Sequence, residues 1–238
     1  MVDLFNTFLS PEIAGWAQQF GHALVTTCLL AICGFVLALV LGSLGAVAQV
    51  RGGRISRYIS IAYVECVRGV PEILLILFIY YGGGALITTF AKLLGYGSRV
   101  DFDAFTAGIL ALGFVSGGFA VEILRAAWGA VPRGQSECAA ALGLRPVKAF
   151  VLVIAPQMLR IALPPLGNLW VTTVKETALI SVIGLSDMVR VANVGAGATG
   201  QPFVFYAVVG LLFLALAHVS NLVISHVEMR QRRWSHPK

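Results

Sequence analysis

The chain has 238 residues, 58% of them hydrophobic and only 12% charged, with a formal net charge of +6. A soluble domain carries about 25% charged residues, so this composition excludes an ordinary soluble enzyme and points to a membrane protein. The basic excess does not read as a nucleic-acid site, because Lys and Arg sit in short stretches between apolar runs and no soluble basic domain is present to hold a polyanion.

The N-terminal stretch "MVDLFNTFLSPEIAGWAQQFGH" carries Asp3 and Glu12 and lacks the basic start of a signal peptide, so the first apolar run is expected to be retained as a span. No charge falls between Glu12 and Arg51, between Glu72 and Lys92, between Asp103 and Glu122, or between Arg190 and Glu228. Each run can supply close to the roughly 20 apolar residues that cross a bilayer. The pattern predicts an all-α integral membrane protein, one transmembrane domain over residues 1–238. Five spans are expected, at about 22–48, 58–91, 104–127, 157–186 and 203–227.

Two of these spans are expected to be interrupted. Gly69 and Pro71 fall inside the second, and Pro164, Pro165 and Gly167 fall near the start of the fourth; proline removes a backbone donor and disfavours helix in the residue before it. Irregular backbone at membrane depth survives only where protein or a watery cavity satisfies it, so both features suggest a pathway. The Gly-rich stretch 193–202 reads as a flexible external loop. Basic residues set the orientation. Arg51, Arg54 and Arg57, then Arg125, Arg133, Arg145, Lys148 and Arg160, then the tail after Glu228, outweigh Lys92, Arg99 and Arg190. That bias places the N-terminus in the periplasm, the C-terminus in the cytoplasm, and segment 129–150 on the cytoplasmic side.

Charge inside a span is the most informative signal, since an ionisable side chain at a helix centre costs about 2.5–3.5 kcal/mol on insertion scales. Glu65 and Arg68, and Glu122 and Arg125, are three apart and can neutralise each other on one helix face. Glu72 follows the proline of the second span, with Arg68 its nearest local partner, and is a candidate acceptor for a cationic solute. Lys175 and Glu176 are adjacent and project about 100° apart, so at least one must face a polar interior. Thr172, Thr173 and Thr177 beside them add hydroxyls suited to a zwitterion; Glu72 and Glu176 are the leading solute contacts, with Asn168 and Thr177 as secondary ones.

Nothing in the chain suggests catalysis. The four histidines lack ligand spacing and no phosphate-binding Gly-rich loop is present, so no enzyme activity, metal or cofactor is expected of this chain. The four cysteines, Cys28, Cys33, Cys66 and Cys138, show no ligand pattern and read as free buried thiols.

The segment "GQSECAAALGLRPVKAFVLVIAPQ" is too polar to span and too compact for a linker. Ala139, Ala140 and Ala141 favour a short helix, Gly143 is placed to cap it in a left-handed conformation, and Glu137 lies near its start. Glu137, Ala139, Gly143 and Pro156 stand at the spacing Glu-Ala-Ala, three residues, Gly, nine residues, Ile-x-Leu-Pro, with Cys138 in an alanine position, Val153 for the Ile and Ala155 for the Leu. With "YVECVRGVPEILLILFIYYG", "LRAAWGAVPRGQ" and "PQMLRIALPPLGNLWVTTVKETALISVIGLSDM", this pattern resembles the permease subunits of bacterial ATP-binding-cassette importers, in their polar amino-acid branch.

The resemblance implies a type I importer permease fold in the inner membrane, with Arg133, Gly134, Glu137, Ala139, Ala140, Gly143 and Arg145 docking on an ATPase. It implies as partners an ATP-binding-cassette ATPase dimer that uses ATP and Mg, and a periplasmic solute-binding protein. A second homologous permease is also implied, a different chain in preference to a second copy. Glu72, directly after the proline of "RGVPE", aligns the chain with histidine, arginine and opine permeases, implying a basic amino acid (histidine, arginine, lysine, ornithine) or an opine. The alternatives are a permease for a glutamine- or glutamate-type amino acid and a gradient-driven secondary transporter.

Overall fold

The computed structural model describes residues 11–85, 88–89 and 103–235, with side-chain burial assigned from Gly15 to Arg230. Asp3, Lys92 and Arg99, used above, lie outside the described residues. The uncharged first run forms helix α1, Pro11–Arg51. Helix α2, Arg54–Gly69, starts after Gly53 and is amphipathic: Ser60, Val64 and Val67 are buried, while Arg57, Glu65 and Arg68 are exposed. It stops where the sequence predicts. Val70 is extended (φ −107°, ψ 135°) ahead of Pro71, because the proline ring crowds a helical conformation in the residue before it. The chain then re-enters helix as α3, Glu72–Leu77, which widens through a π turn at Phe78–Gly82 and continues to Ala85.

Helix α4, Ala104–Gly129, forms the centre of the bundle; Asp103 caps it by accepting a 2.8 Å bond from the Thr106 N–H. It runs parallel to α1 at close range because glycines line the seam. A Cβ on Gly34 would fall 2.8 Å from Leu112 Cδ2, and one on Gly113 2.6 Å from Leu37 Cδ2. Small residues at such contacts let backbones approach in a medium where lipid tails compete for every apolar surface. Tyr63 of α2 donates to the Phe114 carbonyl at 2.6 Å and Ser60 to the Gly45 carbonyl at 3.0 Å, fixing α2 against both.

Helix α5, Arg133–Ala141, lies at the end of the bundle where α1 and α4 terminate. Helix α6, Pro146–Ala149, begins with its proline at the first helical position, where the missing N–H costs nothing. It passes through a second π turn, Phe150–Ile154, into α7, Ala155–Ile180. Here one expectation fails: α7 continues through Pro164 and Pro165 without a break. A proline withholds only its own donor and clashes locally, and packing on α4 and on the last helix holds the flanking turns in place. The irregularity of this segment sits earlier, in the π turn.

After a 3₁₀ turn at Ser181–Ile183, helix α8 spans Met188–Thr199. The stretch read as a flexible loop is therefore largely helical. Asp187 accepts from the Arg190 N–H at 2.9 Å at its start, Gly200 closes it at φ 69°, and Gly195 lets the ring of Phe205 pack directly on its backbone. Helix α9, Pro202–Ser235, returns antiparallel to α7, with the Trp170 indole N–H donating to Ser220 Oγ at 2.9 Å and Ile224 against Gly167. Among the described residues four helices are long and apolar enough to cross a membrane: Gly15–Arg51, Ala104–Gly129, Pro146–Ile183 and Pro202–Arg230. The broken pair α2–α3 supplies a further, shorter apolar segment. All four cysteines are free, but Cys33, Cys66 and Cys138 are exposed rather than buried because they fall on outward helix faces.

Candidate functional site

The break between α2 and α3 opens a cleft of about 490 Å³ against α4 and α7. Its lining includes Arg68 and Glu72 from the break, Phe119, Glu122 and Ile123 from α4, and Pro165, Asn168, Leu169, Thr172 and Glu176 from α7. Three of the four solute candidates meet here: Glu72, half-buried in the first turn of α3; Asn168, exposed; and Glu176, only 8% exposed. Thr177 does not line the cleft. It is fully buried, one position around the helix from Glu176, and its hydroxyl donates to the Val174 carbonyl at 2.7 Å.

Glu176 is held from α4. The Ser116 hydroxyl lies 3.3 Å from Glu176 Oε2 and 2.9 Å from Thr173 Oγ1, and Thr173 donates to the Leu169 carbonyl at 2.9 Å. This cluster, which joins α4 to α7, aims one carboxyl group into the cleft and leaves Lys175 on the exposed side of the same helix. The expectation that one of the adjacent pair faces a polar interior is met by Glu176.

The local pairings divide. Arg125 makes a two-pronged contact to Glu122, 3.2 Å from Nε to Oε1 and 3.0 Å from Nη2 to Oε2. Glu65 and Arg68, at the same spacing, form no ion pair, and neither do Arg68 and Glu72; the Glu122–Arg125 bridge is the one ion pair among the described residues. The cleft therefore holds two carboxyl groups with no ion-pair partner among the described residues, Glu72 and Glu176, beside the paired Glu122 and against Arg68, with apolar walls from Phe119 and Leu169. Chemically it suits a small solute carrying both an acidic and a basic group with a surplus of positive charge.

The coupling candidates lie together at the bundle end. Arg133, Gly134, Glu137 and Ala140 are exposed on α5, while Ala139 is buried against the bundle. Gly143 adopts φ 74° and completes a two-bond cap: the Gly143 N–H donates to the Ala140 carbonyl at 2.9 Å and the Leu144 N–H to the Ala139 carbonyl at 3.1 Å. Arg145 is exposed and extended just before α6. Leu142 and Val147, on either side of the cap, are 80% and 73% exposed. Apolar side chains so exposed leave an uncovered surface on the segment expected to dock; reasoning from the sequence singled out the segment and its basic groups but not Leu142 and Val147.

Of the three threonines named beside Glu176, Thr172 lines the cleft, sharing the face of Glu176, Asn168 and Pro165 at helical spacing. One feature that escaped the sequence is tertiary: the Arg51 guanidinium sits 5.6 Å from the Trp128 ring centre and 6.0 Å from that of Phe150, and those two rings are 4.7 Å apart. It ties the ends of α1 and α4 to the π turn behind α5, while the Gln157 amide donates to Gln135 Oε1 at 3.1 Å and so links α7 to α5.

Comparison with known proteins decides the family. Residues 34–233 match the model of the binding-protein-dependent transport system inner membrane component. The chain belongs to this family. It is 41% identical over 216 residues to the nopaline transport system permease protein NocQ of Agrobacterium fabrum, covering 90% of this chain and 92% of that one. It is 38% identical to the histidine/lysine/arginine/ornithine transport system permease protein HisQ of Escherichia coli, covering 91% and 94%. Among solved structures, an amino acid ABC transporter crystallised with histidines superposes with a TM-score of 0.78 at 29% identity, covering 92% of this chain and 96% of that one. As a member of this family the chain is a multi-pass inner membrane permease subunit, not an enzyme, in an uptake system whose ATP is used by a separate ATPase and whose solute comes from a binding protein.

Proposed function

We propose that this permease forms the translocation pathway for a basic amino acid or an opine, and that the cleft at the α2–α3 break is where the solute meets the chain. The observation that carries the reading is the convergence of Glu72 and Glu176, neither in an ion pair among the described residues, on one cleft with Arg68: a carboxylate-bearing solute with a cationic side chain finds both partners there. The names of NocQ and HisQ, an opine and a set of basic amino acids, support the same chemistry. Glu72, Asn168 and Glu176 contact the solute; Thr172 joins them, and Thr177 acts through packing.

The N-terminus is periplasmic and the C-terminus cytoplasmic, in line with the concentration of Arg and Lys at the α5 end. There α5, from Arg133 to Ala141, with the Gly143 cap and Arg145, docks on the ATPase and converts nucleotide-driven closure into alternating access. A second homologous permease, a different chain in preference to another copy of this one, pairs with it. The exposed Lys175, next to Glu176 and so level with Ser116 midway along α4, supports such a partner, since a lysine facing lipid there would be costly.

The test is ATP hydrolysis by the assembled complex in liposomes with its binding protein, against a panel of amino acids and opines. Stimulation restricted to basic amino acids or opines is the expected result. Stimulation by glutamine or glutamate alone would replace the solute assignment, and uptake by the permease without any ATPase would overturn the coupling role of α5.

A further inference from the structure

A second polar cleft, about 430 Å³, lies nearer the α5 end, between the end of α1, α2 and the end of α4. Gln49, Arg57, Glu65, Arg68, Glu122 and Arg125 supply its polar lining. Arg68 and Glu122 also line the first cleft, so the two share a wall. On α2 the residues Arg57, Ile61, Glu65 and Arg68 follow at steps of four, four and three and form one stripe. That stripe runs about 16 Å toward the α5 end at the helical rise of 1.5 Å per residue. Beside the stripe Ser60, Val64 and Val67 are buried against the bundle. Among the described residues Arg57, Glu65 and Arg68 take part in no ion pair.

Glu65 and Arg68, of opposite sign and in no ion pair among the described residues, lie on a helix expected to enter the membrane. Such charges are expensive unless a watery passage or a ligand meets them, and they mark solute routes. A surface built only to hold a lipid phosphate needs cations and gains nothing from Glu65, a carboxylate in no ion pair among the described residues. A free amino acid needs both. We propose that this second cleft is a release subsite, in which a zwitterionic solute with a cationic side chain rests on Arg57 by its α-carboxylate and on Glu65 by its cationic group before leaving to the cytoplasm. The inference rests on the proposed uptake function and deepens it.

A site open to the cytoplasm must also fill from that side, so accumulated solute should slow further uptake. The test uses the full complex with its ATPase and binding protein in liposomes, L-arginine as the probe, labelled outside and unlabelled at graded concentrations inside. For the unaltered complex, initial uptake falls as internal arginine rises. In Glu65→Gln and in Arg57→Gln the internal concentration giving half inhibition rises about tenfold, the scale of one charge-assisted contact. The KM for external solute is unchanged, and Glu65→Asp retains the inhibition. Uptake with no inhibition by internal arginine, inhibition unaltered in both variants, or an equal shift of the external KM would each overturn the subsite and leave the uptake function standing. A variant effect that appears only in vesicles containing anionic phosphatidylglycerol, and not in phosphatidylcholine, would reassign the cleft to a lipid headgroup. Failure of the unaltered complex to take up any basic amino acid or opine would instead remove the function on which the subsite rests.

Discussion

Gly143 separates two roles that a single substitution would confuse. At φ 74° an L-residue meets the left-handed penalty of about 1–2 kcal/mol, and no other cost arises because a Cβ there would find nothing within 4 Å. Gly143→Ala therefore lowers the weight of the capped conformation by about 5- to 30-fold relative to glycine. The penalty falls on a helix of nine residues that buries only Ala139, so little packing resists it. Asn and Asp both tolerate the left-handed region better than Ala, and they have nearly the same shape while only Asp carries a charge. If α5 docks on the ATPase, Gly143→Asn retains most solute-stimulated ATP hydrolysis. Gly143→Ala then loses part of it, and Gly143→Asp loses nearly all, its carboxylate being lodged beside the exposed Leu142 and Val147 at the contact. The assay is stimulated hydrolysis in the purified complex, with co-purification of the ATPase measured in parallel. Stimulation in Gly143→Asp equal to that of the unaltered protein would falsify the docking role.

Other outcomes follow from the same geometry. Glu72→Gln keeps the shape of the side chain at the α2–α3 break and removes its charge; initial uptake of a basic solute falls about tenfold or more while assembly is retained, and unchanged uptake would remove Glu72 from the path. Arg51→Gln removes the cation that lies beside both Trp128 and Phe150, a contact worth about 0.5–1 kcal/mol in exposed settings, and lowers the solute imported per ATP hydrolysed; Arg51→Lys keeps most of it, and equal ratios in all three proteins would refute the linkage. Asp187 is fully buried at the start of α8, and burial pushes its carboxyl above the ordinary value of 3.8, with the N–H of Arg190 opposing the shift. As pH rises from about 4 through the raised value, the unfolded chain releases a proton that the folded chain keeps, so stability declines over that window and then levels. Asp187→Asn retains an acceptor for the Arg190 N–H and should abolish this slope in melting temperature; an identical slope would refute the assignment to Asp187.

What could be read from the sequence was local. The Gly143 cap and the break at Val70–Pro71 each depend on a few consecutive residues whose own stereochemistry dictates the outcome, whereas the i, i+3 spacing allowed two ion pairs and only Glu122–Arg125 formed. Uncharged runs located the apolar helices for the same reason. Where competing interactions decide, local rules failed. Pro164 and Pro165 stay helical because packing on α4 and α9 outweighs their propensity, and residues 193–199 form a helix because Asp187, Gly195 and Phe205 supply a cap and a contact. Thr172 was legible from its spacing to Glu176, whereas Thr177, adjacent in sequence, points elsewhere. The Arg51–Trp128–Phe150 cluster joins residues about 100 positions apart and has no local signature at all.

That cluster bears on how a push at α5 could reach the cleft. From Phe150 to Glu176 the chain is one continuous helix about 39 Å long, so a tilt of one degree about its lower end moves the upper end about 0.7 Å. Glu176 is bonded to Ser116, and Thr173 beside it to the same hydroxyl, so a tilt of a few degrees must break these contacts and free the carboxyl group. At the lower end the π turn at Phe150–Ile154 is the irregular segment that can absorb such a tilt, and Arg51 and Trp128 hold it against α1 and α4. In the proposed reading, then, the glycine cap shapes the docking helix, the aromatic cluster fixes the pivot, and the Ser116 contacts set how far α7 moves before Glu176 is released. If the pivot lies there, Ser116→Ala loosens Glu176 without touching α5. ATP hydrolysis then becomes less dependent on solute while the ATPase still docks, the reverse of the defect expected from Gly143→Asp.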